Sequence, residues 1–240
     1  MAKDFTLTAY KELLESLMEA NYKIITVEQY FSLMEQGPFV VLRHDVDRRA
    51  QNALRMAELE AEMRIASTYY FRRSTFNQHI ILDIALWGHE IGYHYEVMDK
   101  AKDDIGVAHA LFNAELEILR CWVPVKTCAA HGNPLTKYDN REFFESFDPE
   151  QFGLVGDTAD IHISYLSDTG RGRIEYNLKD RKPELHDWMG IKGMSLHPLG
   201  SCIINIHPER WNDGLAWYRQ WVFDSGCNLV KRCLRARLAH

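Results

Sequence analysis

Phe39-Val40-Val41-Leu42-Arg43-His44-Asp45-Val46-Asp47 is an apolar run closed by two carboxylates at i and i+2. Four consecutive apolar residues read as a buried strand, and the acids fall where such a strand should end. Side chains alternate along a strand, so Asp45 and Asp47 share one face while His44 and Val46 take the other. Two carboxylates held that close repel unless a cation or a shared proton lies between them, which points to a metal site or an acid/base pair. The competing reading is a solvated acidic loop that opens the next helix, and it weakens as ionisable groups turn up at the ends of other strands.

Outward from this stretch, short apolar runs alternate with amphipathic segments from residue 38 onward, the pattern of βα units. Strands are expected over residues 39–42, 67–71, 88–96, 126–130, 152–155, 162–166 and 202–206, and helices over 50–63, 76–86 and 105–119. Each early strand returns after one helix, as parallel crossovers require. Residues 167–182 are polar and rich in Gly and Arg, consistent with a long loop over one end of a barrel. With no repeat or linker to divide it, the chain reads as one domain over residues 1–240. Its motif-bearing core spans about 38–210, preceded by a helical extension (Leu7, Leu13, Leu14, Leu17, Met18) and followed by a closing helix over 211–222.

At 240 residues and 46% apolar composition the chain can bury one sizeable core, and a single α/β barrel is an ordinary solution at this length. A formal charge of -6 gives no overall basic footprint for nucleic acid. No window approaches 18 apolar residues, so a transmembrane segment is not expected. The five cysteines are odd in number and lack a Cys-x-x-Cys pair, which favours a reducing compartment and argues against a cysteine-ligated metal. Together with the absence of a signal-peptide pattern, this leads us to expect a cytoplasmic protein. Nothing in the sequence fixes an oligomeric state.

If the strands form a parallel barrel, the residues at their C-terminal ends converge on one rim. His94 follows Ile91-Gly92-Tyr93 and shares a strand face with Glu96; His131 precedes Gly132-Asn133-Pro134; His207 follows Ile203-Ile204-Asn205-Ile206. Imidazoles and carboxylates are the usual ligands of a divalent hydrolytic metal. With 11 histidines in the chain some are ordinary hydrogen-bonded side chains, and His89 and His162 are read that way. No phosphate loop, dinucleotide fingerprint or Gly-x-Ser-x-Gly elbow is present.

At Arg43-His44-Asp45-Val46-Asp47, Gly88-His89-Glu90-Ile91-Gly92-Tyr93-His94-Tyr95-Glu96, His131-Gly132-Asn133-Pro134 and Ile206-His207-Pro208 the chain resembles the polysaccharide deacetylase superfamily (NodB homology, carbohydrate esterase family 4). It looks most like a bacterial branch related to proteins of O-antigen and surface-polysaccharide clusters. The resemblance implies a distorted (β/α)7 barrel and metal-dependent removal of an N- or O-acyl group from a sugar. It places the base on Asp45, a metal-binding acid on Asp47, the first histidine ligand on His94 and the general acid on His207. The family usually has a second histidine ligand four residues after the first, where this chain has Met98. Glu96 is one substitute. His131 is the other, lying where the family motif holds an arginine that orients the base. Asp168 resembles a family loop aspartate that binds substrate or orients a catalytic group, and Asn133, Arg171 and Arg173 are further candidates for substrate contact.

The implied cofactor is a divalent metal, Zn in the first place, with Co or Ni as alternatives. The implied partner is an acylated sugar, nucleotide- or lipid-linked if the protein acts on an intracellular precursor of surface polysaccharide. Two other readings stay open: hydrolysis of another small amide, formyl group or cyclic imide on the same barrel, or a catalytically degenerate glycan-binding protein.

Overall fold

β2 (Phe39–Val46) outlasts its apolar run, because parallel pairing continues through Arg43, His44 and Asp45. In the computed structural model, which describes residues 5–32, 37–133, 136–168 and 200–213, β2 lies between β3 (Thr68–Phe71) and β8 (Cys202–Ile206). β4 (Glu90–Tyr95), β5 (Thr127–Ala130) and β6 (Gly156–Asp157) follow beyond β3, and β7 (Ser164–Ser167) lies beyond β8. Every pair is parallel. The strands therefore run round the sheet in chain order, and among the described residues the unpaired seam falls between β6 and β7. This is a distorted (β/α)7 barrel. An eighth strand, β1 (Lys23–Ile25), lies against Phe39–Val41 on the edge of β2 that β3 takes over from Arg43.

The larger helices are α1 (Leu7–Glu19), α3 (Ala50–Glu62), α4 (Gln78–Leu86) and α6 (Ile105–Arg120), with the short α2 (Val27–Ser32), α5 (Val97–Ala101) and α7 (Phe143–Ser146) between them. Thr6, Asn77 and Asp104 accept a backbone N–H from the first turns of α1, α4 and α6, as N-cap residues do. Residues 152–155 are not a strand. Pro149–Phe152 form a 3-10 turn that Gly153 ends at φ 65°, and the strand begins only at Gly156. From the closing segment expected over 211–222, Trp211 is buried against Phe5 and Tyr10, and residues from 214 on lie outside the described ones. No helix among the described residues is long and apolar enough to cross a membrane.

Alternation along each strand divides the core. Val40, Leu42, Ile204 and Ile206 face α1, while Val46, Tyr69, Phe71, Tyr93 and Tyr95 face α4 and α6. Val41, Tyr70, Ala129 and Ile203 fill the barrel interior. Tyr70 explains Gly92: a Cβ at Gly92 would lie 2.2 Å from the Tyr70 ring.

On the outward face of β2, His44 meets a buried acid. Glu60 of α3 lies 2.8 Å from His44 Nε2 and accepts from the hydroxyls of Tyr10, Ser67 and Tyr69, the last at 3.0 Å. Burial alone would raise the Glu60 carboxyl; His44 and the surrounding donors hold it at about 2. His89 stands on the same side, with Nε2 3.0 Å from the Ala57 carbonyl oxygen, away from the barrel mouth.

Candidate active site

The inward face of β2 carries Arg43, Asp45 and, just past the strand, Asp47. Asp47 Oδ1 lies 3.4 Å from His94 Nε2 and 3.1 Å from His131 Nδ1, and the two rings approach to 3.3 Å. One ligand atom from each of the three residues lies within 4.8 Å of the others. His94 is near the end of β4 and His131 directly follows β5, so three strand ends supply the three donors.

Two features show that these donors suit a metal. His94 Nδ1 is 2.9 Å from the Ala129 carbonyl, which takes the ring proton and leaves Nε2 with a lone pair toward Asp47 and His131. Asp47 Oδ1 is buried and has no hydrogen-bond partner among the described residues. Two imidazole nitrogens and one carboxylate oxygen are a common three-ligand set for catalytic zinc and suit Co or Ni as well. His131 is held from both sides, its N–H donating to the Tyr95 carbonyl at 2.8 Å and its own carbonyl accepting from Asn140 Nδ2 at 2.7 Å.

The structure does not bring Glu96 into this group. β4 ends at Tyr95, and Glu96 turns to ψ 40° to open α5, so the alternation that aligned it with His94 stops one residue too soon. Its carboxylate is ion-paired to Arg72 and lies 3.2 Å from Lys100 Nζ. Met98, four residues after His94, is buried in the apolar layer under α6.

Asp45 is held by a chelating arginine on its own strand. Arg43 Nη2 donates to both carboxylate oxygens at 2.7 Å, Arg43 Nε to Oδ1 at 3.1 Å, and Asn205 Nδ2 to Oδ2 at 2.9 Å. Burial works to raise this carboxyl, but Arg43, then His94 and His207, bring it down to about 2. Asp45 Oδ2 is 3.8 Å from His94 Nε2 and 3.9 Å from His207 Nε2, so it stands between the candidate metal donors and His207.

His207 is fixed by Asp168. Its Nδ1 is 2.7 Å from Asp168 Oδ1, its backbone N–H donates to Oδ2 at 2.9 Å, and Trp211 Nε1 donates to Oδ2 at 3.1 Å. Burial works to lower the imidazole, but the Asp168 carboxylate raises it to about 9. His207 therefore carries a proton at neutral pH and presents it on Nε2. Beside it, Glu209 is buried and lifted by burial to about 7, with Arg48 Nη2 at 3.5 Å.

Of the remaining residues singled out from sequence, Asn133 sits half-buried two residues beyond His131, and Arg171 and Arg173 lie outside the described residues. His162 is exposed. The roles of Arg43, Asn140 and Asn205 escaped the sequence reading. Only Arg43 carried a signal there, sharing a strand face with Asp45 two residues on.

No family model matches the sequence, and no curated protein does. Solved structures similar to the chain include members of carbohydrate esterase family 4. One is a family 4 pseudoenzyme in a mutant form with restored enzymatic activity, 14% identical, with TM-score 0.45 over 72% of this chain and 57% of that one. Another is a family 4 carbohydrate esterase from Bacillus anthracis, 11% identical, TM-score 0.41, covering 84% of this chain and 77% of that one. A third, a Streptococcus mutans esterase of the same family, is 10% identical with TM-score 0.49 and 91% coverage of both chains. The chain thus spans little more than half the length of the first of these.

Proposed function

We propose that this chain is a metal-dependent hydrolase that removes an N- or O-acyl group from a sugar or a sugar-containing precursor. The observation that carries the reading is the order of groups across the barrel mouth: Asp47, His94 and His131 converge on one point, a clamped carboxylate (Asp45) borders it, and a protonated imidazole (His207) stands on the far side. His131 supplies the donor that Met98 does not. A bound divalent ion, Zn, Co or Ni, would polarise the acyl carbonyl and acidify a water molecule. Asp45, kept ionised and oriented by Arg43, accepts the proton of the attacking water. His207 delivers its Nε2 proton to the departing amine or alcohol while Asp168 holds the ring. The motif resemblance supports a sugar substrate, and the cysteine pattern favours a nucleotide- or lipid-linked precursor in the cytoplasm.

The test separates binding from chemistry. Purified protein loaded with Zn²⁺, Co²⁺ or Ni²⁺ should hold one ion, and His94→Ala or His131→Ala should lose it. Asp45→Asn should keep the ion and lose most turnover. N-acetyl and N-formyl amino sugars, their nucleotide-linked forms and small cyclic imides form the substrate panel. Turnover confined to the imides would overturn the sugar assignment, and full activity of both Asp45→Asn and His94→Ala would overturn the mechanism.

A further inference from the structure

Arg72 occupies a place in the sheet that neither the metal site nor the acid/base pair uses. Val46, Phe71 and Tyr93 are paired across β2, β3 and β4, and the next residue on each strand is Asp47, Arg72 and His94 respectively. Arg72 keeps an extended backbone at φ -80° and ψ 158°, so it follows the inward Tyr70 by two residues and falls on the inward side. It therefore comes one position past the last paired residues, between the chain segments that carry Asp47 and His94. The turn that follows is tied to the end of β2, with Thr75 Oγ1 donating to the Val46 carbonyl at 2.8 Å and accepting from Arg72 N–H at 3.1 Å.

The guanidinium is held but not satisfied. Nη2 is ion-paired to Glu96, which Lys100 also approaches to 3.2 Å while bonding Glu115 at 2.9 Å, so only one nitrogen of the guanidinium is engaged by that acid cluster. Arg72 Nε is buried and has no hydrogen-bond partner among the described residues. A buried unpaired N–H on a charged group is costly, and such groups persist where a ligand supplies the missing acceptor. A planar fork of donors with an unused N–H matches a carboxylate or phosphate.

Resting on the hydrolase reading above, we propose that Arg72 binds an anionic oxygen group, a phosphate or a carboxylate, carried by the sugar beside its acyl group. The test measures binding without turnover, so that it stands or falls apart from the proposed chemistry. N-acetylglucosamine 1-phosphate, glucuronate and neutral N-acetylglucosamine are titrated calorimetrically into the wild type, Arg72→Met and the metal-site variant His94→Ala. Arg72→Met should weaken the anionic sugars by about 10- to 100-fold, the usual worth of a hydrogen bond to a charged group, and leave the neutral sugar unchanged. His94→Ala should retain the preference for anionic over neutral sugar, because the preference belongs to Arg72 and not to the ion. The phosphate and glucuronate arms show which anion is preferred. Should Arg72→Met not fold, Arg72→Lys keeps the charge opposite Glu96 but loses the fork, and should weaken both anionic sugars relative to the neutral one. Equal effects on charged and neutral sugars, or no effect in either variant, would overturn the proposal. Absence of turnover by the metal-loaded wild type, with anion binding intact, would instead overturn the hydrolase reading alone.

Discussion

Asp168→Asn tests the acid side of the mechanism with a nearly isosteric change. An asparagine here can accept from the His207 backbone N–H and from Trp211 Nε1 through its oxygen while its amide donates to His207 Nδ1, so the network can be kept with a neutral ring. The largest of the charges that raise His207 to about 9 is then gone, and burial opposes the weaker pull of Asp47 and Asp45, so the imidazole falls back toward its ordinary 6.5. At pH 8 the protonated fraction falls from about 0.9 to about 0.03, roughly a 30-fold loss of the acid form, whereas at pH 6 most of it remains. The alkaline limb of turnover should move down by more than two pH units, and an NMR titration of the His207 ring should show the same displacement. Stability follows the same sign. Because the folded value lies above the unfolded one, the contribution is fully present below pH 6.5 and is lost as pH rises through 9. The gap between 6.5 and about 9 corresponds to about 3 kcal/mol at 1.36 kcal/mol per pH unit, read from urea unfolding of the wild type at pH 6 and pH 10. A His207 ring that titrates near 6.5 in both proteins would refute the reasoning.

Two further outcomes follow from contacts already described. Glu96→Ala should leave metal stoichiometry untouched, since its carboxylate is engaged by Arg72 and Lys100; loss of the ion, measured by elemental analysis, would return Glu96 to the ligand set. Gly92→Ala should destabilise the protein by about 1–3 kcal/mol in urea unfolding, because the added methyl would overlap the Tyr70 ring. Tyr70→Ala in the same chain should recover part of that loss.

The parts of this molecule that could be read from sequence are those governed by local periodicity. The apolar run of β2 and its period-2 alternation separate Asp45 and Asp47 from His44, and the paired strands show that separation as mouth against helix side. Where the chain leaves the strand, the period no longer applies. Glu96 lost its alignment with His94 one residue past β4, and the strand expected over 152–155 gave way to a turn set by Pro149 and Gly153. β1 is three residues long and only partly buried, too short to carry any pattern. The partnerships that tune the candidate site join distant segments: Asp168 meets His207 across 39 positions, Asn205 reaches Asp45 across 160, and Asn140 clamps the carbonyl of His131 from beyond the intervening loop. Arg72 gave no signal because its meaning lies in which two strands flank it.

The pairing of His44 with Glu60 bears on how β2 is kept in step with its neighbours. A slip of β2 by one residue would carry Asp45 and Asp47 to the side of α1 and α3 and drop His44 into the mouth. Glu60 would then lose its His44 partner in a fully enclosed pocket, and an uncompensated buried carboxylate costs about 3–5 kcal/mol, before any ligand or substrate was involved. The acid on the helix side thus serves as an index mark for the face it never touches. Insertions or deletions within β2 are penalised from behind the sheet, while side chains at the strand tips can be exchanged without disturbing that alignment.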